Sequence, residues 1–347
     1  MKKQRSRPGT APFPGYDSSP SLRHHVHDGG SILRCALGSL VGRCGARGGA
    51  PPERPHRERH GLYLCIGPER RHAGYPGVPP PTRASAPSAI DLTEAKHHVL
   101  LAQASYCSQE QITAWSCPAC DELTGVSSPH YLYDSTWKLQ GYVARDDDQS
   151  ALVVSFRGSE NVANWISYLN LGKTNPYSDY PDAWVHSGFY NDWLALKTDV
   201  LAALAQLAAE SGYSSVVFVG HSLGASMATL DAFDVAREGT YSVASVWTAG
   251  SPRTGDAGFA TAVGTVLGAM EHRLTHYYGM VPHVPETFLG FWHAATEYWI
   301  AEANDAAKTC DGSGEDGACS NSCSPFSCTS VDDHLNYLGV PMGSAAC

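Results

Sequence analysis

The chain has 347 residues, 43% of them hydrophobic, 10% aromatic and 17% charged, which suits one or two packed domains and excludes a collagen, a coiled coil or a wholly disordered polymer. Its formal net charge of −10 is unevenly spread: residues 1–90 hold 14 Lys or Arg against 5 Asp or Glu, whereas residues 91–347 hold 10 against 29. No continuous apolar run reaches the roughly 18 residues a membrane-spanning helix needs, so no transmembrane segment is expected.

Residues 1–90 also carry 13 of the 22 prolines and 13 of the 34 glycines, too many breakers to build a core. They read as a disordered, basic Pro/Gly-rich extension or as an artefact of the gene model. Arg54, Arg57, Arg59, Arg70 and Arg71 have no aromatic platform or recognition motif beside them. They read as solvated charge, and no nucleic-acid partner is expected. The best apolar run, residues 35–42, is short and bracketed by Arg34 and Arg43, which gives no clear signal peptide. His24, His25 and His27 stand without further ligands, so they signal no metal.

The acidic body opens with Asp91-Leu92-Thr93-Glu94, an N-cap and acidic first turn for a helix reaching residue 104. Strands at 142–145 and 151–156 flank a turn at Asp146-Asp147-Asp148. Val162, Trp165, Ile166 and Leu169 then recur at i, i+3, i+4 and i+7, predicting a short amphipathic helix over 160–170. A longer one over 189–209 carries Trp193, Leu196, Val200, Leu201, Leu204 and Leu207 on one stripe and stops at Ser211-Gly212. Val216 to Val219 reads as a buried parallel strand, 220–224 as a tight turn and 225–237 as a helix. Strands at 243–249 and 272–278 follow, with a helix over 259–267 between them. Strands alternating with helices predict right-handed crossovers, hence an α/β domain over 91–347 with a mostly parallel central sheet and helices on both faces.

Three of the 11 cysteines lie in the basic extension and eight in the body, near its two ends. The even count reads as disulfides in an oxidising, secreted setting. Cys117 and Cys120 alone would also suit a zinc half-site or a redox pair, although neither has the partner ligands or the preceding strand those uses require.

Gly220-His221-Ser222-Leu223-Gly224 is a G-x-S-x-G motif between a buried strand and a helix, the setting of a nucleophile elbow. The glycines let the strand and helix backbones approach closely at a strained turn. Ser222 then stands at a helix N-terminus, where developing negative charge is favoured. Such a serine needs a base, an orienting acid and oxyanion donors, in the chain order Ser, Asp or Glu, His.

Together with Val154-Ser155-Phe156-Arg157-Gly158-Ser159, Asn164-Trp165-Ile166, Val185-His186-Ser187-Gly188-Phe189, Gly250-Ser251-Pro252-Arg253, Val281-Pro282-His283, Glu297-Tyr298-Trp299-Ile300 and Asp333-His334-Leu335, this motif resembles the fungal class 3 lipases. These are α/β-hydrolases that include secreted triacylglycerol lipases and feruloyl esterases, and the resemblance covers about residues 91–347. It implies Ser222 as nucleophile, His334 as general base, and an oxyanion hole from Ser159 and the backbone N–H of Leu223. It also implies that the helix bearing Val162, Trp165, Ile166 and Leu169 is a lid, whose apolar face would cover the site when closed and meet acyl chains when open. Disulfides Cys107–Cys347, Cys117–Cys120 and Cys310–Cys319 follow from it, with Cys323–Cys328 as an added pair.

One position departs from the family. The triad acid belongs three residues before the Pro of Thr275-His276-Tyr277-Tyr278-Gly279-Met280-Val281-Pro282, and Gly279 stands there. Asp332, Asp333, Glu271 and Glu286 are the nearby carboxylates; Asp333, part of the family's Asp-His pair, reads as a residue that shapes the loop. The leading expectation is therefore a secreted serine carboxylic-ester hydrolase acting on acylglycerol or other esters at a lipid–water interface, with no metal or cofactor. A catalytically silent lipid binder and a feruloyl esterase are the alternatives.

Overall fold

A computed structural model describes residues 88–324 and 326–347. The expectations about the basic extension, its histidines and its three cysteines fall almost entirely outside them.

Asp91 caps α1 (Leu92–Ala104) by accepting the Thr93 and Glu94 amides at 2.7 and 3.3 Å, as its sequence setting predicts. Ser108 and Gln111 form a capping box for α2 (Gln109–Ala114), and α3 (Pro118–Glu122) opens on a proline, whose missing N–H would have had no helical partner. β1 (Val126–Asp134), β2 (Leu139–Asp146) and β3 (Ala151–Phe156) form an antiparallel meander. α4 (Val162–Ser167) and a small ladder of β4 (Lys173–Thr174) and β5 (Val185–His186) lead into α5 (Ser187–Ser211). Gly212 ends α5 in the left-handed conformation, φ 76°. Then come β6 (Ser215–His221), α6 (Leu223–Glu238), β7 (Ser242–Ala249), α7 (Ala257–Val266), β8 (Glu271–His276), β9 (Glu297–Ile300) and β10 (Ala307–Thr309). α8 (Val331–His334) and the hairpin of β11 (Asn336–Tyr337) and β12 (Val340–Pro341) follow.

The main sheet runs β1-β2-β3-β6-β7-β8-β9-β10, parallel from β3 to β9 and antiparallel at both margins. Alternate side chains serve opposite faces. Leu152, Val154 and Phe156 of β3 join Val216 and Phe218 of β6 in a core with Trp193, Val200 and Leu204 of α5 and Met227 and Leu230 of α6. Val153, Val217 and Val219 instead pack with Ala95, Val99 and Leu101 of α1. Both faces are thus covered by helices, as the βαβ alternation requires, and this is an α/β-hydrolase sheet.

Several boundaries differ from expectation. β1 carries Pro129 and breaks register between Ser127 and His130, so its sequence hides the alternation that marks an edge strand. The helix expected over 160–170 is confined to Val162–Ser167; Asn161 caps it, and Asn170 turns its side chain to the Gly172 amide, which leaves Leu169 beyond its end. β8 stops at His276, because Tyr277 takes a positive φ of 35°. The four disulfides implied by the resemblance are formed: Cys107–Cys347, Cys117–Cys120, Cys310–Cys319 and Cys323–Cys328. No helix among the described residues is long and apolar enough to cross a membrane.

The carboxyl ends of β3, β6, β7 and β8 deliver Gly158, Ser222, Gly250 and Gly279 to one edge of the sheet. In open α/β sheets that edge is where ligands bind.

Candidate active site

Ser222 occupies the N-cap of α6 with φ 57° and ψ −126°, a strained conformation for a residue with a side chain. The neighbouring glycines explain how the turn closes. A Cβ on Gly220 would overlap the Gly224 carbonyl, and one on Gly224 would overlap the Phe156 carbonyl. The Ser222 amide donates to the Ala249 carbonyl at 2.9 Å, pinning the turn to β7. An N-cap serine ordinarily spends its hydroxyl on its own helix. Ser222 does not: its Oγ has no hydrogen-bond partner among the described residues, although the side chain is fully buried.

His334, at the end of α8, lies beside this turn. Its ring stacks on His221 with centroids 4.6 Å apart, and its carbonyl accepts the His221 Nε2–H at 2.9 Å. A carbonyl only accepts, so His221 keeps its proton on Nε2 and its Nδ1 accepts the Tyr106 hydroxyl at 2.6 Å. The same hydroxyl accepts the Gly158 amide at 3.1 Å. Tyr106 thus ties the loop after β3 to the elbow and, through His221, to the backbone of His334. No local pattern around Tyr106 signals this role in the sequence. Burial pulls the His221 pKa down to about 4 despite its bond to the His334 carbonyl. Burial, reinforced by the His221 ring, also holds His334 well below the usual histidine range, so both rings are neutral at neutral pH.

Neither ring nitrogen of His334 has a hydrogen-bond partner among the described residues. The chain reaches Gly279 immediately alongside: a Cβ there would lie 3.5 Å from the His334 amide nitrogen and 3.6 Å from its Cα. None of the other carboxylates considered from the sequence bonds to the ring. Asp333 accepts the Tyr278 amide at 3.3 Å through its side chain and His276 Nδ1 at 2.9 Å through its carbonyl, which makes it a loop-shaping residue. Asp332 is exposed; Glu271 opens β8 at the opposite end and accepts from Thr229 at 3.3 Å; Glu286 lines a separate cavity.

Ser159 directly follows Gly158, whose Cβ, if present, would come within 2.8 Å of the Ser222 Cβ, so the loop after β3 lies against the elbow. Leu223 is the first residue of α6, where an amide has no acceptor within its own helix. These two residues provide donors of the kind an oxyanion hole needs. α4 begins three positions after Ser159. Val162 is buried and Ile166 half-buried, while Trp165 and Leu169 pack against the core and the Trp165 ring lies over Phe189 at 6.0 Å. Beyond the helix, Tyr168 is 86% exposed. With Ser222 and His334 both at 0% exposure, the site is closed.

His186 caps α5 by accepting the Phe189 amide at 3.2 Å, and Arg253 forks onto Glu315 with two 2.7 Å bonds while donating to the His283 and Pro285 carbonyls. Both motif residues are structural. Arg253 and Glu315 border a cavity of about 250 Å³ with Phe288, Trp292 and Phe326, apart from Ser222. Two groups have metal-ligand spacing, His283 with Cys323 and Cys328, and Glu297 with Cys310 and Cys319. In each the sulfurs are joined as a disulfide, which removes the thiolates a metal would require.

A family model described as Lipase (class 3) matches residues 153–289. A lipase of Rhizomucor miehei is 31% identical over 263 residues, covering 74% of this chain and 71% of that protein. The secreted mono- and diacylglycerol lipase A of Penicillium camembertii is 36% identical over 192 residues, 55% of this chain and 61% of that protein. The solved Rhizomucor miehei triacylglyceride lipase superposes with a TM-score of 0.66 at 30% identity, covering 74% of this chain and 98% of that one. With a relative this similar across most of its length, and with the strand, elbow and helix arranged as described, the chain belongs to the class 3 lipase family.

Proposed function

We propose that the protein is a secreted serine hydrolase that cleaves acylglycerol esters through an acyl-enzyme on Ser222. Lipase-type ester hydrolysis is the chemistry of the family; the nucleophile, the base and the substrate are our reading. The observation that carries it is the unbonded hydroxyl of Ser222, held on a strained N-cap beside the neutral ring of His334.

In this reading Ser222 Oγ attacks the ester carbonyl carbon while His334 Nε2 takes its proton. The oxyanion is held by Ser159 and the Leu223 amide, at the positive end of α6. The intermediate collapses as the alcohol leaves with the proton from His334. Water, deprotonated by the same ring, then releases the fatty acid and restores Ser222. Val162, Trp165, Ile166 and Leu169 form the lid that admits a lipid surface. The partner is therefore a lipid–water interface, and the bond-making and bond-breaking steps call for no metal or redox cofactor. Relatives named as secreted lipases and four disulfides support an extracellular setting.

A second reading, a silent lipid binder, draws on the missing carboxylate at His334 Nδ1. Hydrolysis of p-nitrophenyl butyrate by the natural chain and by Ser222→Ala separates the two. Turnover that disappears in Ser222→Ala supports the hydrolase, and equal, buffer-level rates in both support the binder.

A further inference from the structure

We propose that the protein binds a small monocarboxylate, formate or acetate, beside Gly279, where it accepts the Nδ1–H of His334 and serves as the acid of the triad. The proposal rests on the hydrolase reading above.

Two buried polar atoms without partners face this place, His334 Nδ1 and Tyr337 Oη; His276, whose Nδ1–H is spent on the Asp333 carbonyl, adds no donor. His334 and Tyr337 are fully buried and His276 is 5% exposed. Buried polar atoms are nearly always satisfied, and an unpartnered donor at full burial is costly. The atoms share one neighbourhood. Tyr337 Oη and His334 Nδ1 both crowd the point where a Cβ of Gly250 would stand, the latter at 2.6 Å, and the Tyr337 ring packs on His276 at 6.0 Å. Gly279 borders the same place through the backbone of His334.

Their chemistry matches a carboxylate. Tyr337 is a donor, since burial keeps its hydroxyl protonated. His334 must carry its proton on Nδ1 if Nε2 is to accept one from Ser222, and an acceptor at Nδ1 selects that tautomer. The chain's own acids do not supply it: Asp333 is held by the Tyr278 amide, and Asp332 points to solvent. Their negative charge weakens anion binding without filling the place. Gly279 is itself buried, but it follows the 40% exposed Tyr278 and bridges to the partly buried Ser330, so the place lies one residue from solvent along the chain. A Cβ on Gly279 would lie 3.0 Å from the His276 carbonyl, so the space beside this backbone is tight and favours the smallest carboxylates over a longer acid. At a ceiling of about 1.5 kcal/mol per heavy atom, a ligand of three or four heavy atoms binds no tighter than about tens to hundreds of micromolar.

The test is p-nitrophenyl butyrate hydrolysis by the full chain, with sodium formate, acetate, butyrate or chloride titrated at constant ionic strength. A saturable rise of about tenfold or more with formate or acetate is expected, against a deficit of up to about 10⁴ for a triad without its acid. Butyrate and chloride should give none. Gly279→Ala, which fills the place with a methyl group, should lose the response, and Gly279→Asp should be active without added carboxylate and insensitive to it. No carboxylate-specific rise in the natural chain while Gly279→Asp is active overturns the proposal and leaves the hydrolase reading standing. Natural chain and Gly279→Asp both silent at every concentration overturns both.

Discussion

Replacing Gly279 by Asp probes the site where this chain departs from its family. The backbone there is compatible with a side chain, since Gly279 is not among the residues with positive φ. The new Cβ has one tight neighbour, the His276 carbonyl at 3.0 Å, and otherwise ordinary contacts with His334 at 3.5 and 3.6 Å. Relieving the tight contact costs about 1 kcal/mol, and losing glycine's freedom in the unfolded chain returns about 0.4–1 kcal/mol, so stability should barely move. The catalytic effect is far larger. A carboxylate on Nδ1 fixes the tautomer and stabilises the imidazolium, worth about 10⁴ in kcat, or about 5 kcal/mol. We expect kcat/KM for p-nitrophenyl butyrate to rise by about 10²–10⁴ in Gly279→Asp, the lower bound allowing for a surround not built around this carboxylate. Gly279→Asn should stay near the natural chain, because an amide can hold the wrong tautomer. A folded Gly279→Asp that gains less than about threefold would refute the reasoning that the acid is what His334 lacks.

Three further outcomes follow from the same contacts. Trp165→Ser, which removes the ring packed over Phe189, should weaken binding to phosphatidylcholine vesicles by about tenfold while leaving hydrolysis of a soluble ester within about threefold; vesicle binding that ignores the change contradicts the lid assignment. The double variant Cys107→Ala/Cys347→Ala opens a loop of 240 residues and should lower stability by about 3–5 kcal/mol, a Tm loss of roughly 10 °C by calorimetry; an unchanged Tm would contradict it. The third concerns acid. Burial holds His98 at about 3 and His186, His221, His272 and His283 at about 4, so the unfolded chain takes up protons near pH 6.5 that these native rings refuse until near pH 3–4. Acid therefore favours unfolding. Glu271 and Asp192, raised to about 7 by burial, act in the opposite sense between pH 4 and 7 but are fewer. Stability should fall by about 4 kcal/mol from pH 6.5 to 5, and a urea midpoint that stays level or rises over this range contradicts it.

What the sequence disclosed and what it hid have physical causes. The elbow was legible because its glycines, its serine and the flanking apolar runs are contiguous, and each is demanded by one tight turn. The strands buried on both faces, such as Val216 to Val219, read clearly as apolar runs. β1 did not, because an edge strand with a proline and a register break has little pattern to show. β9 and β10 escaped as strands for a similar reason, being short and near the sheet margin. The helix around Trp165 is shorter than its apolar recurrence suggests, since the 3.6-residue spacing continues through Leu169 while the helix closes at Ser167, with Tyr168 as its C-cap. Gly279 was visible only by comparison with a motif. That His334 Nδ1 is left unbonded, and that Tyr106 bridges Gly158 to His221, are facts of three-dimensional packing between residues 52 to 115 positions apart.

The central claim, that Ser222 is the nucleophile of an ester hydrolase, is tested most directly by a p-nitrophenyl alkylphosphonate, which leaves a stable phosphonyl adduct on an activated serine. Intact mass and peptide mapping after incubation should find one adduct per chain, on Ser222, forming faster in Gly279→Asp than in the natural chain and absent in Ser222→Ala. An unmodified Ser222 in the folded Gly279→Asp protein, or an adduct on another residue, would contradict it.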